Sequence, residues 1–429
     1  MAAMITPLLG VVDMAVLARG ATTTDIAGVS LAAAVFAIVY WTLGFLRMSL
    51  SGLSAQADGR NDEAGLRAHL IQGALLGFVL GFVLLILRLP ISQAAQWIMG
   101  GGTDVSPGAL GAMRDYIEIR LLAAPLAIAF FAGVGWLTGQ GRTGLMMVVV
   151  VSVTILNAVL DAWFVLYLDW GVKGIAAGTA LAEGLGTVLL GGVILGVLHR
   201  RGGIRQHWDL ARLRENLRSI LALNMDIAIR TFLLAFVFAW FARAGGQFGD
   251  ITLAANEVLM HIVMTAGLLL DGPAIAAETL VGKALGATND RRARFHEAVR
   301  STSTLAIGAA LCLTIILWLA AQPVIDLVIP PQGDMRDLRA VIGQYYPWAI
   351  IGPIVMMVPF QLDGIFIGAM RGNVLRNAML ASVGLFAAAL IGVVPILGNH
   401  GLWLAFVVFM LSRGVMLLIA WPGFRRLTG

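Results

Sequence analysis

Charge is scarce in this 429-residue sequence: Asp, Glu, Lys and Arg together make up 12% of it, against about 25% in an ordinary soluble domain. A chain of this size with so little polar material cannot cover a globule with polar surface. That excludes a water-soluble enzyme and a solvated, disordered tail protein. Cysteine is nearly absent. The single Cys312 sits in an apolar run, which excludes an internal disulfide and a multi-cysteine metal site. Walker A, HExxH and G-x-S-x-G sequences are also missing, so neither ATP-driven chemistry nor a familiar hydrolase site is expected, and no cofactor is called for. The opening MAAMITPLLGVVDMAVLARG lacks a basic n-region and contains Asp13, so it does not read as a cleavable signal peptide. No period-two alternation runs through the apolar stretches, which argues against a β-barrel.

What the sequence does have is hydrophobicity. Apolar residues make up 59% of the chain and the mean hydropathy is +0.89. Long apolar stretches recur at 1–18, 26–54, 65–92, 113–138, 143–168, 174–199, 216–243, 252–282, 296–322, 340–369, 373–397 and 401–423. Most meet or exceed the roughly 20 residues that an α-helix needs to cross hydrocarbon. The 51 glycines spread through them suit helices that pack closely inside lipid. The expectation is an all-α membrane protein with twelve transmembrane helices. Basic residues test that count. Eighteen of the 29 fall in or beside the even-numbered connections and the C-terminus, eight in or beside the odd ones, and Arg47, Arg230 and Arg413 lie deeper inside spans. The bias puts the even loops and both termini in the cytoplasm. It also accounts for a pI near 9.9 without nucleic acid as a partner.

The two halves echo each other. LAAAV at 31–35 parallels LAANEV at 253–258, AQADGRND at 55–62 parallels GKALGATND at 282–290, and GQGRTGLMM at 139–147 parallels GAMRGNVLRNAML at 368–380. An N-lobe over 1–200, a basic cytoplasmic linker over 201–215 and a C-lobe over 216–429 follow. Six spans per half give both halves the same orientation, two pseudo-symmetric six-helix bundles around a central cavity. That is the plan of an alternating-access transporter.

Ionisable residues at helix depth are costly and point to function. The interior set reads as Asp13, Arg47, Asp161, Glu183, Asp226, Arg230, Glu257, Asp271, Glu278, Asp363 and Arg413, eight acids to three bases. The surplus carboxylates must be protonated, bind a cation or face water. Asn157 and Asp161, four apart, share one face of the fifth span and can converge on one ion or proton together with Asp13. In the second half Asp226 and Arg230 are also four apart and could simply pair with each other. Asn256, Glu257, Asp271 and Glu278 lie on the eighth span, where the Asp271–Pro273 turn should interrupt the helix. Asp363 lies on the tenth. Arg47 and Arg413 read as interhelix clamps, and Glu183 could pair with one of them.

Residue by residue, the chain resembles a known family. PLLGVVDMAVLARG, then LNAVLDAWFV with GVKGIAAGTALAE, are similar to first-, fifth- and sixth-helix patterns of the multidrug and toxic compound extrusion (MATE) family. NMDIAIRTFLL, LAANEVL, LLLDGPAIAAETLVGKALGA and QLDGIFIGAMRGNVLRNAM resemble its DNA-damage-inducible (DinF-like) branch. The resemblance implies a secondary antiporter of a bacterial inner membrane that exports organic cations or other amphipathic compounds in exchange for H⁺ or Na⁺, with H⁺ the first expectation. It implies a cation or proton site, including a possible Na⁺ site, at Asp13, Asn157, Asp161 and Thr179. Asp226, Arg230, Asn256, Glu257, Asp271, Glu278 and Asp363 become C-lobe candidates for substrate or coupling. The partners implied are a small cargo and membrane lipid, with the protein working as a monomer. An alternative is an exporter or flippase of lipid-linked saccharide from a related two-lobed family. Members usually carry ten to twenty further residues before PLLGVVD, so a first helix shortened at its N-terminus is expected.

Overall fold

The computed structural model describes residues 22–100, 105–203, 217–328 and 336–424, and every regular element among them is helical. Eleven stretches are long and apolar enough to cross a bilayer, beginning with Thr24–Gly59 and ending with Asn399–Phe424. They match, in order, the second to twelfth spans expected from hydropathy. The first span, 1–18, and with it Asp13, lies outside the described residues, as does most of the expected linker. The protein is therefore a multi-pass α-helical membrane protein.

The chain divides into two compact units, Met1–Arg218 and Ser219–Gly429. The first contains α1 (Thr23–Leu43), α2 (Phe45–Gly59), α3 (Glu63–Ile86), α4 (Arg88–Gly100), α5 (Pro107–Arg120), α6 (Ala124–Gly139), α7 (Thr143–Ala162) and α8 (Gly171–Arg200). The second contains α9 (Leu217–Gly245), α10 (Asp250–Gly286), α11 (Arg291–Leu319), α12 (Ala321–Val328), α13 (Arg336–Gly368), α14 (Gly372–Leu397) and α15 (Asn399–Ile419). Large apolar side chains such as Val188 and Ile391 are exposed, as expected where lipid rather than water is the neighbour. The interiors are apolar, with Trp136 and Leu66 fully buried in the first unit and Trp403, Phe409 and Phe386 in the second.

Several expected spans are not single helices: the third and ninth are interrupted near their ends, at Leu87 and Ala320. The second is interrupted at Gly44, between α1 and α2. The fourth is broken by a 3-10 turn, Leu121–Ala123, between α5 and α6. In the opposite sense, the Asp271–Pro273 sequence does not interrupt α10, which runs unbroken past Pro273. Proline removes one backbone donor, but a neighbouring helix that packs along both sides of the gap can hold such a helix together in lipid. Here α13 does so.

The packing of α10 against α13 depends on two glycines. A Cβ at Gly364 would overlap the carbonyl of Ala274, and one at Gly368 that of Glu278. Four residues apart, they form the small-xxx-small contact that lets membrane helices touch backbone to backbone. The first unit repeats it with Gly135 and Gly139 of α6 on the carbonyls of Arg47 and Ser51 of α2. The turns repeat as well. Left-handed residues Asn61, Gly141 and Asp169 in the first unit recur as Asp290, Met370 and Gly398 in the second, each pair offset by 229 positions. Backbone geometry thus carries the internal duplication further than side-chain identity does.

Candidate functional site

Within the first unit α7 is built inside out. Its buried positions are Val149, Asn157 and Asp161, so two of its three buried side chains are polar while Leu145, Met147, Val148, Ile155 and Val159 are exposed. In lipid this arrangement is sensible only if the polar face meets polar partners. The partner is α8. The Asn157 amide Nδ2 donates to Asp161 Oδ2 at 2.9 Å and to Thr179 Oγ1 at 3.2 Å. All three side chains are buried, Asp161 completely.

Glycine makes the approach possible. A Cβ at Gly178 would overlap Asp161 Oδ1 and lie 3.1 Å from the Asp161 backbone nitrogen, while Gly174 meets Phe164 and Gly186 meets Val153. Immediately after Asp161 the helix widens into one π-helical turn, Trp163–Tyr167, in which the Leu168 amide reaches back to the Trp163 carbonyl. Such turns insert a residue without breaking the helix and recur at functional sites. The Asn157 Oδ1 is buried and accepts no hydrogen bond among the described residues. A carboxylate, an amide and a hydroxyl therefore meet in one buried place, where the amide presents its NH2 group to the other two. Such a set suits a proton, or a hard cation once the amide is turned so that its oxygen faces the carboxylate. Asn157, Asp161 and Thr179 are thus together, and Asp13 lies outside the described residues.

One turn further along α8 the expectation for Glu183 changes. It binds neither Arg47 nor Arg413. Arg120 Nη2 donates to Glu183 Oε1 at 2.8 Å, and the Tyr40 hydroxyl donates to Glu183 Oε2 at 3.1 Å. Arg120, counted with the odd connections in the tally of basic residues, lies on α5 within the fourth span.

The second unit also rearranges the expected pairs. Asp226 and Arg230 do not bind each other: Asp226 accepts from Arg376 of α14, and Arg230 donates to Asp363 of α13. Asp363 Oδ2 also accepts from Arg413 Nη2 at 2.6 Å, so one carboxylate joins α9, α13 and α15. The Arg413 guanidinium lies 5.6 Å from the Phe409 ring centroid. Spacing of four allows an intrahelical pair but does not compel it; a guanidinium that can reach a buried carboxylate on another helix gains more than one bonded along its own exposed face. Asn256 exchanges amide hydrogen bonds with Asn399 at 2.7 and 2.9 Å and accepts from Trp403 Nε1 at 2.9 Å, apart from the carboxylates. Glu257 is exposed, Asp271 half-buried and Glu278 buried on α10. The seven C-lobe candidates therefore do not form one cluster. The interior charge balance shifts too. Arg120 and Arg376, left out of the sequence-based count, neutralise Glu183 and Asp226, and Arg230 with Arg413 more than neutralises Asp363.

A family model described as MatE matches residues 1–163 and 227–392. The chain is 34% identical over 415 residues to "DNA damage-inducible protein F" of Escherichia coli strain K12, covering 97% of this chain and 88% of that protein. It is 24% identical over 425 residues to "Probable multidrug resistance protein NorM" of Rhizobium meliloti, covering 94% and 86%. Among solved structures, a MOP superfamily transporter from Pyrococcus furiosus superposes with a TM-score of 0.83 at 21% identity, covering 100% of this chain and 94% of the other. The MATE transporter VcmN of Vibrio cholerae gives 0.83 at 16%, covering 99% and 94%. The chain belongs to the MatE family of membrane transporters.

Proposed function

We propose that this protein is a secondary active antiporter that exports organic cations or other amphipathic compounds in exchange for H⁺ or Na⁺. The observation that carries the reading is the buried meeting of Asp161, Asn157 and Thr179 between α7 and α8. Relatives named for multidrug resistance and for multidrug and toxin extrusion support the cargo class. A carboxylate can take up a proton, and with the amide turned over, its oxygen and the hydroxyl offer ligands to Na⁺, so one site can serve either ion. Asp13 is the fourth member of the proposed site.

In the cycle, a cation taken from outside neutralises Asp161 and favours the state that releases cargo outward. Cargo bound from the cytoplasmic side prefers the deprotonated, or Na⁺-free, state. Coupling requires that the two ligands favour different states; equal affinity for both would move nothing. Efflux of an ethidium-type dye from proteoliposomes, driven first by an imposed pH gradient and then by an Na⁺ gradient, tests the proposal. Efflux with at least one gradient is expected, and indifference to both would end the antiporter reading. Asp161→Asn and Asp13→Asn are each expected to abolish gradient-driven efflux. Coupled transport surviving either change would remove that residue from the site.

A further inference from the structure

Three polar side chains follow one another at i, i+4 and i+8 on α8: Thr179, Glu183 and Thr187. They share one face over about 12 Å of helix, and each holds a different element. Thr179 meets Asn157 of α7. Glu183 takes Arg120 from the end of α5 and Tyr40 from α1. Thr187 Oγ1 donates to the Leu126 carbonyl at 2.9 Å, in the first turn of α6. The 3-10 break Leu121–Ala123 lies between Arg120 and Leu126, so adjacent turns of α8 grip both sides of it. Tyr40 likewise sits one turn before the interruption at Gly44.

Arg120 is a stiff anchor. Its guanidinium lies 4.3 Å from the Phe36 ring centroid, 5.1 Å from that of Tyr40 and 5.8 Å from that of Tyr116, and Nη1 donates to the Tyr116 hydroxyl at 3.2 Å. A planar cation held among three rings has few other rotamers open to it. A charge-assisted bond to such an anchor, with both side chains about 16–17% exposed, fixes where Glu183 must be. It therefore fixes the rotation of α8 one turn away.

We propose that Glu183 is a positioning residue of the cation site: its bond to Arg120 sets the rotation of α8 at which Thr179 faces Asn157, and ties that alignment to the break between α5 and α6. The proposal rests on the antiporter reading for its effect on transport, but its structural half stands alone. The ionisable groups around Glu183 are Arg120 and Tyr116 from α5 and Tyr40 from α1, with Asp161 of α7 reached through Asn157 and Thr179.

Glu183→Gln in the full-length protein tests both halves. Hydrogen exchange in detergent is expected to quicken at least threefold in the peptides that contain Thr179 and Leu121–Ala123, and unchanged exchange there would overturn the positioning. In dye efflux, the cation concentration for half-maximal rate is expected to shift at least fivefold, by more than the maximal rate changes. A fall in rate with that concentration unmoved would make the ion pair merely structural and overturn the link to the site. Glu183→Asp, which keeps the charge on a shorter arm, is expected to fall between. If Glu183→Gln does not fold, Arg120→Lys gives the same two readouts at smaller size. Should the wild-type protein respond to neither gradient, the antiporter reading fails, while the exchange measurement still decides the positioning.

Discussion

Asp161 and Asp363 are both buried aspartates on membrane helices, and their surroundings give them opposite characters. Asp161 accepts from an amide that also donates to the Thr179 hydroxyl, packed against a glycine face. Asp363 is pinned by two guanidiniums. Asparagine at 363 would leave Arg230 and Arg413 buried without their carboxylate, which typically costs about 3–5 kcal/mol. Thermal unfolding in detergent should therefore fall sharply for Asp363→Asn. Asp226→Asn should cost only about 0–1 kcal/mol, because its partner Arg376 is 34% exposed. Equal losses for the two would contradict the burial difference. Gly178→Ala is expected to push the Asp161 carboxylate off its present position, with an overpacking cost of about 1–3 kcal/mol. Coupled transport should weaken in Gly178→Ala while Gly192→Ala, at a position with open space around it, leaves it intact.

At the scale of elements, the eleven described spans were legible in hydropathy because lipid demands long, unbroken apolar runs. The pairing of interior charges was not. Helical periodicity tells which residues share a face of one helix. It is silent on which face of another helix they meet, so Asp226 with Arg230 looked like a pair, and Arg120 and Arg376, near the ends of their spans, were counted with the loops. Asn157 and Asp161 were readable because both lie on one helix at a spacing of four. Thr179 came from family resemblance, and Glu183 stood out as a charge at helix depth, but nothing local named Arg120 and Tyr40 as its partners. The glycine contacts at Gly135, Gly139, Gly364 and Gly368 could have been found from their spacing. The left-handed turns leave a test of the duplication. Met370 occupies a backbone conformation that costs an ordinary L-residue about 1–2 kcal/mol, where the first unit has Gly141. Met370→Gly is expected to raise the unfolding temperature modestly and Gly141→Ala to lower it. The opposite order would mean that the two turns are not equivalent.

For the whole molecule, the duplicated fold carries undivided chemistry in neither sense: the turns and glycine contacts are shared by both units, the buried charges are not. The first unit holds oxygen donors with a glycine-lined approach, and the second a three-helix ion cluster. Functional loss and structural loss should accordingly separate. Substitutions at Asn157, Asp161 and Thr179 are expected to leave melting temperature within a few degrees of wild type while abolishing gradient-driven efflux. Those at Arg230, Asp363 and Arg413 are expected to lower both. A panel of these six, scored by thermal unfolding and by efflux, would refute the division if the two groups behaved alike.

The Asp363 cluster also bears on how the protein is made. Arg230 precedes its carboxylate by 133 residues and Arg413 follows it by 50. A central arginine costs about 2.5–3.5 kcal/mol on the scale set by the insertion machinery. During synthesis α9 therefore reaches the membrane well before the Asp363 carboxylate that Arg230 finally binds, and α15 then finds its acceptor already in place. The second half of the chain has a built-in order of assembly, in which a three-helix junction closes only when its last helix arrives.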